Sequence, residues 1–357
     1  MPFNAEQLAY GGRAAIDFFL KNDPIDQINT ARPLFDKLVS GKKEWTGSLQ
    51  FVVEQIRESN DSNFQGYFGD SQVTYNTKRT LNQAKFTWGS FHDGFGLNED
   101  ELTQNGIIMT DDRNAVPTGA EKVQLTNLIK ENMETLKLGF QEGFDKMLHR
   151  DGTQSTLEIA GLDLLVAVDP TTGVVGGIDP ATKTFWQNQV SLDVTIANLI
   201  DQMEDQWREC IRFGGQAPDF LLAGEVFIDS YRKAADALVN RQITLGGAGG
   251  NRQASTIDAG TGNGTETGLF FKGRQIIWDP VFDVLDTEDS PAQQWNSRLY
   301  MLNTKHIKLR PIQGHWMVPR KPPRVYDRYV QYWATTAKAA MTTGKRRAHS
   351  LITVTGS

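Results

Sequence analysis

The sequence predicts an α+β fold of two or three structural units. Three observations carry it. Two strand-like runs, at 49–56 and 83–91, flank a long polar connection; an uninterrupted amphipathic stretch fills 118–149; and strand and helix signals mix from 156 onward. At 357 residues, with 39% hydrophobic and 22% charged residues, the chain can bury a sizeable core and is not generally disordered. It has no run of about 18 apolar residues of the kind that spans a membrane. The start, Met-Pro-Phe-Asn-Ala-Glu-Gln, lacks the basic-then-apolar character of a signal peptide. The single Cys210 excludes an internal disulfide framework and a multi-cysteine zinc site, and suits a reducing compartment.

In chain order, residues 1–45 read as an arm with helical spacing at Leu8, Ala15, Ile16, Phe19 and Leu20, and a further turn or two over 31–39. Between the two strands, residues 60–82 are rich in Asn, Ser, Gly and Thr, and hold the cluster Phe64, Tyr67 and Phe68. A connection this long is unusual inside a compact domain. It reads as a projecting two-stranded finger, which needs a neighbour to be stable, and its aromatics are candidate contacts. The helix at 118–149 has a capping box in Thr118 and Glu121, and apolar residues mostly three and four apart from Leu125 to Leu148. Gly139 and Gly143, four apart on one face, suggest a closely crossing backbone. Beyond it, short strands are expected at 162–168 and 173–177, a helix at 192–212, a buried strand at 218–224, a helix at 225–239, a glycine-rich loop at 245–268 and a strand at 269–278. Further β-like runs at 298–302 and 329–333 alternate with basic connections.

Charge is unevenly spread. The formal net charge is −6, yet residues 301–357 hold eleven Lys and Arg against the single acid Asp327. Such a segment on an acidic body suits either phosphates or the acidic part of a second copy. The acidic body disfavours a dedicated DNA binder and puts subunit contact first, with Arg320, Lys321, Arg324 and Arg328 as candidate cations.

No catalytic set emerges. His92-Asp93 reads as a strand-end turn without a nucleophile, and residues 98–101 as a solvated turn or helix start lacking calcium-loop spacing. Residues 246–250 have the glycines of a phosphate cradle but not its Lys-Ser/Thr. Cys210 reads as core, and His149, His306, His315 and His349 show no ligand spacing. Lys345-Arg346-Arg347 reads as a solvated or interface turn. No cofactor or metal is expected.

Several stretches, in this order, carry a resemblance: 84–89 (Ala-Lys-Phe-Thr-Trp-Gly), 148–153 (Leu-His-Arg-Asp-Gly-Thr), 161–179 from Gly161-Leu-Asp-Leu-Leu into Phe185-Trp-Gln-Asn-Gln189, 268–280, 299–303 and 346–351 (Arg-Arg-Ala-His-Ser-Leu). Over essentially the whole chain the sequence resembles the major capsid proteins of tailed bacteriophages, with the Hong Kong 97-like capsid fold. The resemblance implies an N-terminal arm (1–45), an extended β-hairpin E-loop (46–91), a peripheral domain with its spine helix (92–155, helix 118–149), an axial domain (156–294), a peripheral return (295–345) and a C-terminal strand (346–357). It implies no enzymatic activity. The chain would assemble with itself as pentamers and hexamers into an icosahedral shell in the bacterial host cytoplasm, and end in the virion capsid. Double-stranded DNA would be held by weak, non-specific contact, without a membrane. Only about 45 residues precede the finger, so a separate scaffolding protein is expected, with a portal and a decoration protein as further partners. The alternative within the fold is an encapsulin-like nanocompartment. Outside it stand a soluble enzyme using the loop at 246–250 and a phage tail-tube protein, which does not usually need so long a helix.

Overall fold

The residues read as a finger pair as strands. In the computed structural model, β1 (Phe51–Arg57) runs antiparallel to β2 (Leu81–Thr87), in register from Phe51↔Thr87 to Arg57↔Leu81. The structure describes residues 30–47, 50–98, 100, 103, 119–244, 266–289, 294–322 and 330–355. Two units divide the chain. One takes Ser90–Phe144 and Gly314–Lys338; the other takes Ala31–Gly89, Asp145–Gln313 and Ala339–Ser357.

In the first unit, β3 (Gly89–Asn98) follows β2 after a break at Trp88, where the sequence suggested one strand through Phe91. His92-Asp93 therefore lies within a strand and not at a turn. The long helix Gly119–His149 has 31 residues, about 46 Å at 1.5 Å per residue, and begins within one residue of its expected start. Thr118, the N-cap of its expected capping box, lies outside the described residues. The apolar face of this helix uses Leu136, Phe140 and Phe144; Phe144 meets Phe91 and Trp316 edge-on at 5.2 and 5.5 Å. The crossing backbone expected at Gly139 and Gly143 is absent within the described chain. A Cβ at Gly143 would meet nothing within 4 Å, and one at Gly139 only the Asp93 carboxylate at 3.7 Å.

The second unit opens with the helix Pro33–Ser40, started by its proline and burying Leu34, Phe35 and Leu38. Its main layer is a mixed six-stranded sheet. The strands, in chain order, are β4 (Gln189–Val194), β5 (Phe220–Ala223), β6 (Glu266–Phe271), β7 (Arg274–Trp278), β8 (Arg298–Leu302) and, after the strands named below, β12 (Ser350–Val354). Their spatial order is β4-β12-β8-β5-β7-β6. The central strands β5, β8 and β12 are buried along their whole length, which is why they read as continuous apolar runs without alternation. The helices Leu199–Gly214 and Glu225–Thr244 lay Leu199, Met203, Trp207, Phe227 and Tyr231 against Leu221, Ile276, Met301 and Ile352. Each such side chain contributes roughly 1.5–3 kcal/mol by leaving water. β9 (Ile307–Pro311) pairs with the end of β11 (Val330–Thr343), while β10 (Val318–Arg320) pairs with β11 inside the first unit.

Three sequence expectations are corrected in this unit. Residues 162–168 are not a strand: Leu162–Leu165 is a helical turn that buries Leu162 and Leu165. A short apolar run has no periodicity to separate the two states. The helix expected from Leu192 begins at Leu199, because Gln189–Val194 adds an edge strand first. The strand expected over 269–278 is a hairpin. Lys272 and Gly273 both take positive φ (51° and 75°), the two-residue turn whose twist suits paired strands.

Gly161 explains one of the resembling stretches. A Cβ there would stand 2.0 Å from the Arg150 carbonyl oxygen and 2.7 and 2.8 Å from those of Met147 and Leu148. The loop thus seats on the exposed carbonyls ending the long helix. Gly161→Ala is expected to destabilise the chain by about 1–3 kcal/mol, as overpacking does, read as a lowered urea midpoint.

Candidate functional site

The finger is built from a buried base and a bare tip. At its base Val52, Ile56, Ala84 and Phe86 are buried. Glu54 accepts bonds from Arg310 Nε (3.1 Å) and the Thr342 hydroxyl (3.1 Å). Lys85 N donates to Gly176 O at 2.8 Å, and Lys183 pairs with Glu58. Above Glu58 the ladder ends; Asn63 Nδ2 bonds Asn76 O at 2.6 Å across the two legs. A tight turn closes the tip, with Ser71 N and Oγ donating to Phe68 O at 3.1 and 2.7 Å. Phe64, Tyr67 and Phe68 are 96%, 73% and 91% exposed, and Tyr75 is 88% exposed. Large aromatics this bare have no partner among the described residues, and Tyr75 was not singled out by the sequence because it stands apart from the cluster.

The basic candidates lie elsewhere. Arg320 is exposed on β10, its Nε donating to Thr336 Oγ1 at 3.2 Å, and Lys321 sets its ammonium 5.6 Å from the Trp333 ring centre. Arg324 and Arg328 lie outside the described residues. So do residues 1–29, including the helical spacing of the arm, and the glycine-rich segment 245–265; of residues 98–101, only Asn98 and Asp100 are described.

Sequence reasoning missed the buried polar clusters. Lys345-Arg346-Arg347 is not a solvated turn. Arg346 is fully buried, and its guanidinium donates to Leu165 O (2.8 Å), Trp186 O (2.9 Å), Leu164 O (3.3 Å) and Asn188 Oδ1 (3.1 Å). Burial without a carboxylate lowers its pKa to about 10. Arg347 stacks 4.5 Å over Phe213 and bonds Thr184 O. His349 is buried and neutral: burial, then His306 and Arg346, push its pKa down to about 3, and its Nδ1 accepts from Asn303 N at 3.2 Å. Arg298 donates to Asp163 Oδ1 (2.7 Å) and the Tyr300 hydroxyl (3.0 Å).

His149 sits between two carboxylates. Its ring reaches Asp145 O at 2.8 Å through Nδ1 and Asp279 Oδ2 at 2.9 Å through Nε2. Burial opposes the charged ring, but Asp279 and Asp145 outweigh it and push its pKa up to about 9. Asp145 is pushed up to about 7, chiefly by burial against the pull of His149. Asp145 and His149 are four apart on the helix, a spacing that was readable; Asp279 was not.

These groups act as locks: His149, Asp145 and Asp279 are all buried, and the His149–Asp279 bond ties the end of the long helix to residue 279. Cys210 is buried on its helix, and burial holds its thiol up at about 12. Among the described residues no grouping of His, Cys, Asp and Glu is placed to hold a metal ion. No described helix is long and apolar enough to cross a membrane.

Both raised values in the His149 cluster favour the protonated form in the folded chain. The stabilisation from His149 is complete below about 6.5 and is lost as pH rises through about 9. Stability should therefore fall between pH 7 and 9, by at most about 1.4 kcal/mol per pH unit for one proton. Urea titrations at pH 7, 8 and 9 should show this fall, and His149→Gln should flatten it; an equal slope in the variant would exclude the histidine as its source.

No protein-family model matches the chain, and no curated protein matches it. Solved structures do. The capsid asymmetric unit of cyanophage A-1(L) aligns over 94% of this chain and 97% of its own, at 14% identity and a TM-score of 0.57. The chain has the capsid fold of tailed phages. The mature capsid of bacteriophage PhiM1 aligns over 94% and 91% with a TM-score of 0.54 at 10% identity. The capsid of Myoviridae phage XM1 aligns over 94% and 97% with 0.53 at 12%. The Hong Kong 97-like fold was thus legible in the order of segments, although sequence identity to these neighbours is low.

Proposed function

We propose that this chain is a major capsid protein that assembles as pentamers and hexamers into an icosahedral shell around phage DNA. The observation that carries the reading is the finger: a firmly anchored hairpin base ending in strongly exposed aromatics, on the fold of capsid subunits. The division into arm, E-loop, peripheral domain, axial domain, peripheral return and C-terminal strand belongs to the same proposal. So do the contact roles of Phe64, Tyr67, Phe68, Arg320, Lys321, Arg324 and Arg328. A separate scaffolding protein, a portal and a decoration protein are the partners it calls for, with assembly in the host cytoplasm. The role is structural rather than enzymatic. Phage capsids among the structural neighbours favour this over an encapsulin-like compartment. Electron microscopy of the expressed protein, alone and with its neighbouring genes, tests it. Closed polyhedral shells are expected; a chain that stays monomeric under every co-expression would overturn the reading.

A further inference from the structure

A polar cleft of about 510 Å³ in the second unit takes no residue from the finger. Arg274, Lys305, Lys308, Asp219, Thr304 and Asn303 line it. Its lining holds no aromatic ring and no branched apolar side chain.

Three cations meet one carboxylate, and that carboxylate is already engaged. Asp219 accepts from Thr304 N at 2.7 Å and from the Thr304 hydroxyl. Among the described residues, no ion pair neutralises Arg274, Lys305 or Lys308. The loop presenting the lysines is held in place: Lys305 N donates to Asn303 Oδ1 at 3.1 Å, and His306 N to Asn303 O at 3.0 Å. Behind it, burial and then Lys345, Lys305 and Lys308 lower the pKa of His306. A pre-set group of three cations against one carboxylate, in a concave polar surface, is suited to an anion.

We propose that this cleft is a phosphate site holding the sugar-phosphate backbone of nucleic acid without reading its sequence. Without an aromatic platform no base can stack there, which leaves phosphate contact. Without an apolar anchor it lacks the core of a protein-docking surface. The shell reading enters only in naming packaged nucleic acid as the source; the phosphate chemistry stands on the cleft itself.

Fluorescence anisotropy of a duplex DNA oligonucleotide with the full chain, over a series of salt concentrations, tests this. Three neutralised phosphates predict a slope of about −2.7 in log K against log salt. Lys305→Gln with Lys308→Gln should leave about −0.9, and Arg274→Gln alone should remove about 0.9 from the wild-type slope. Lys305 is exposed and Lys308 half-buried, so the double variant should keep its circular dichroism spectrum; should it not, Arg274→Gln decides. Inorganic phosphate should compete and polyglutamate should not. An unchanged slope in a folded variant overturns the proposal. Competition by polyglutamate equal to that by phosphate overturns it in favour of an acidic protein segment. Phosphate binding lost in the variants while the DNA slope is kept overturns it in favour of free phosphate. Failure to form shells leaves these readouts untouched and counts against the shell reading alone.

Discussion

Arg346→Ala is expected to destabilise the second unit by about 3–5 kcal/mol, the cost of leaving several buried acceptors unpaired at about 1–3 kcal/mol each. The size follows from what the guanidinium leaves behind. Leu164, Leu165 and Trp186 would each lose a hydrogen bond to their carbonyl, and Asn188 one to its side-chain oxygen, where water has no access to the fully buried side chain. Arg346→Lys should recover only part of the loss, because an ammonium cannot reproduce a planar fork aimed at acceptors in several directions. Urea unfolding should show the midpoint drop with little change in slope. A loss below about 1 kcal/mol would mean that the carbonyls find other donors.

Deleting residues 60–72 is expected to leave a folded chain that forms no closed shells. The deletion removes Phe64, Tyr67 and Phe68 but spares the buried base and its ties from Glu54, Glu58 and Lys85. Each exposed aromatic stands to gain roughly 1.5–3 kcal/mol on burial against a sister molecule. Repetition of such contacts around a closed surface makes them decisive where a single one is weak. Circular dichroism should match the full chain, and electron microscopy should show no polyhedra. Normal particles from the shortened chain would remove the finger from the assembly mechanism.

Local order was legible where it is set by neighbours in the chain. The helix Gly119–His149 was visible because apolar residues recur at helical spacing from Leu125 to Leu148 and no proline interrupts the stretch. The finger was visible because two strands flank a polar stretch too long for a compact interior, and the bare state of Phe64, Tyr67 and Phe68 follows from it. Where an apolar run was short, as at Leu162–Leu165, neighbouring residues could not choose between strand and helical turn. The hairpin turn at Lys272-Gly273 does leave a mark in the sequence, where Lys-Gly-Arg-Gln at 272–275 separates two short apolar runs.

By itself, then, the amino-acid order determined the succession of finger, long helix and the mixture of strands and helices that follows. The tertiary structure alone decided which charges are buried. The acceptors that hold Arg346 stand 181, 160 and 182 positions away, and Asp279 lies 130 positions from His149. A charged side chain looks like surface until distant backbone supplies the partners that replace water, and that supply is a property of packing, which no local pattern of residues records.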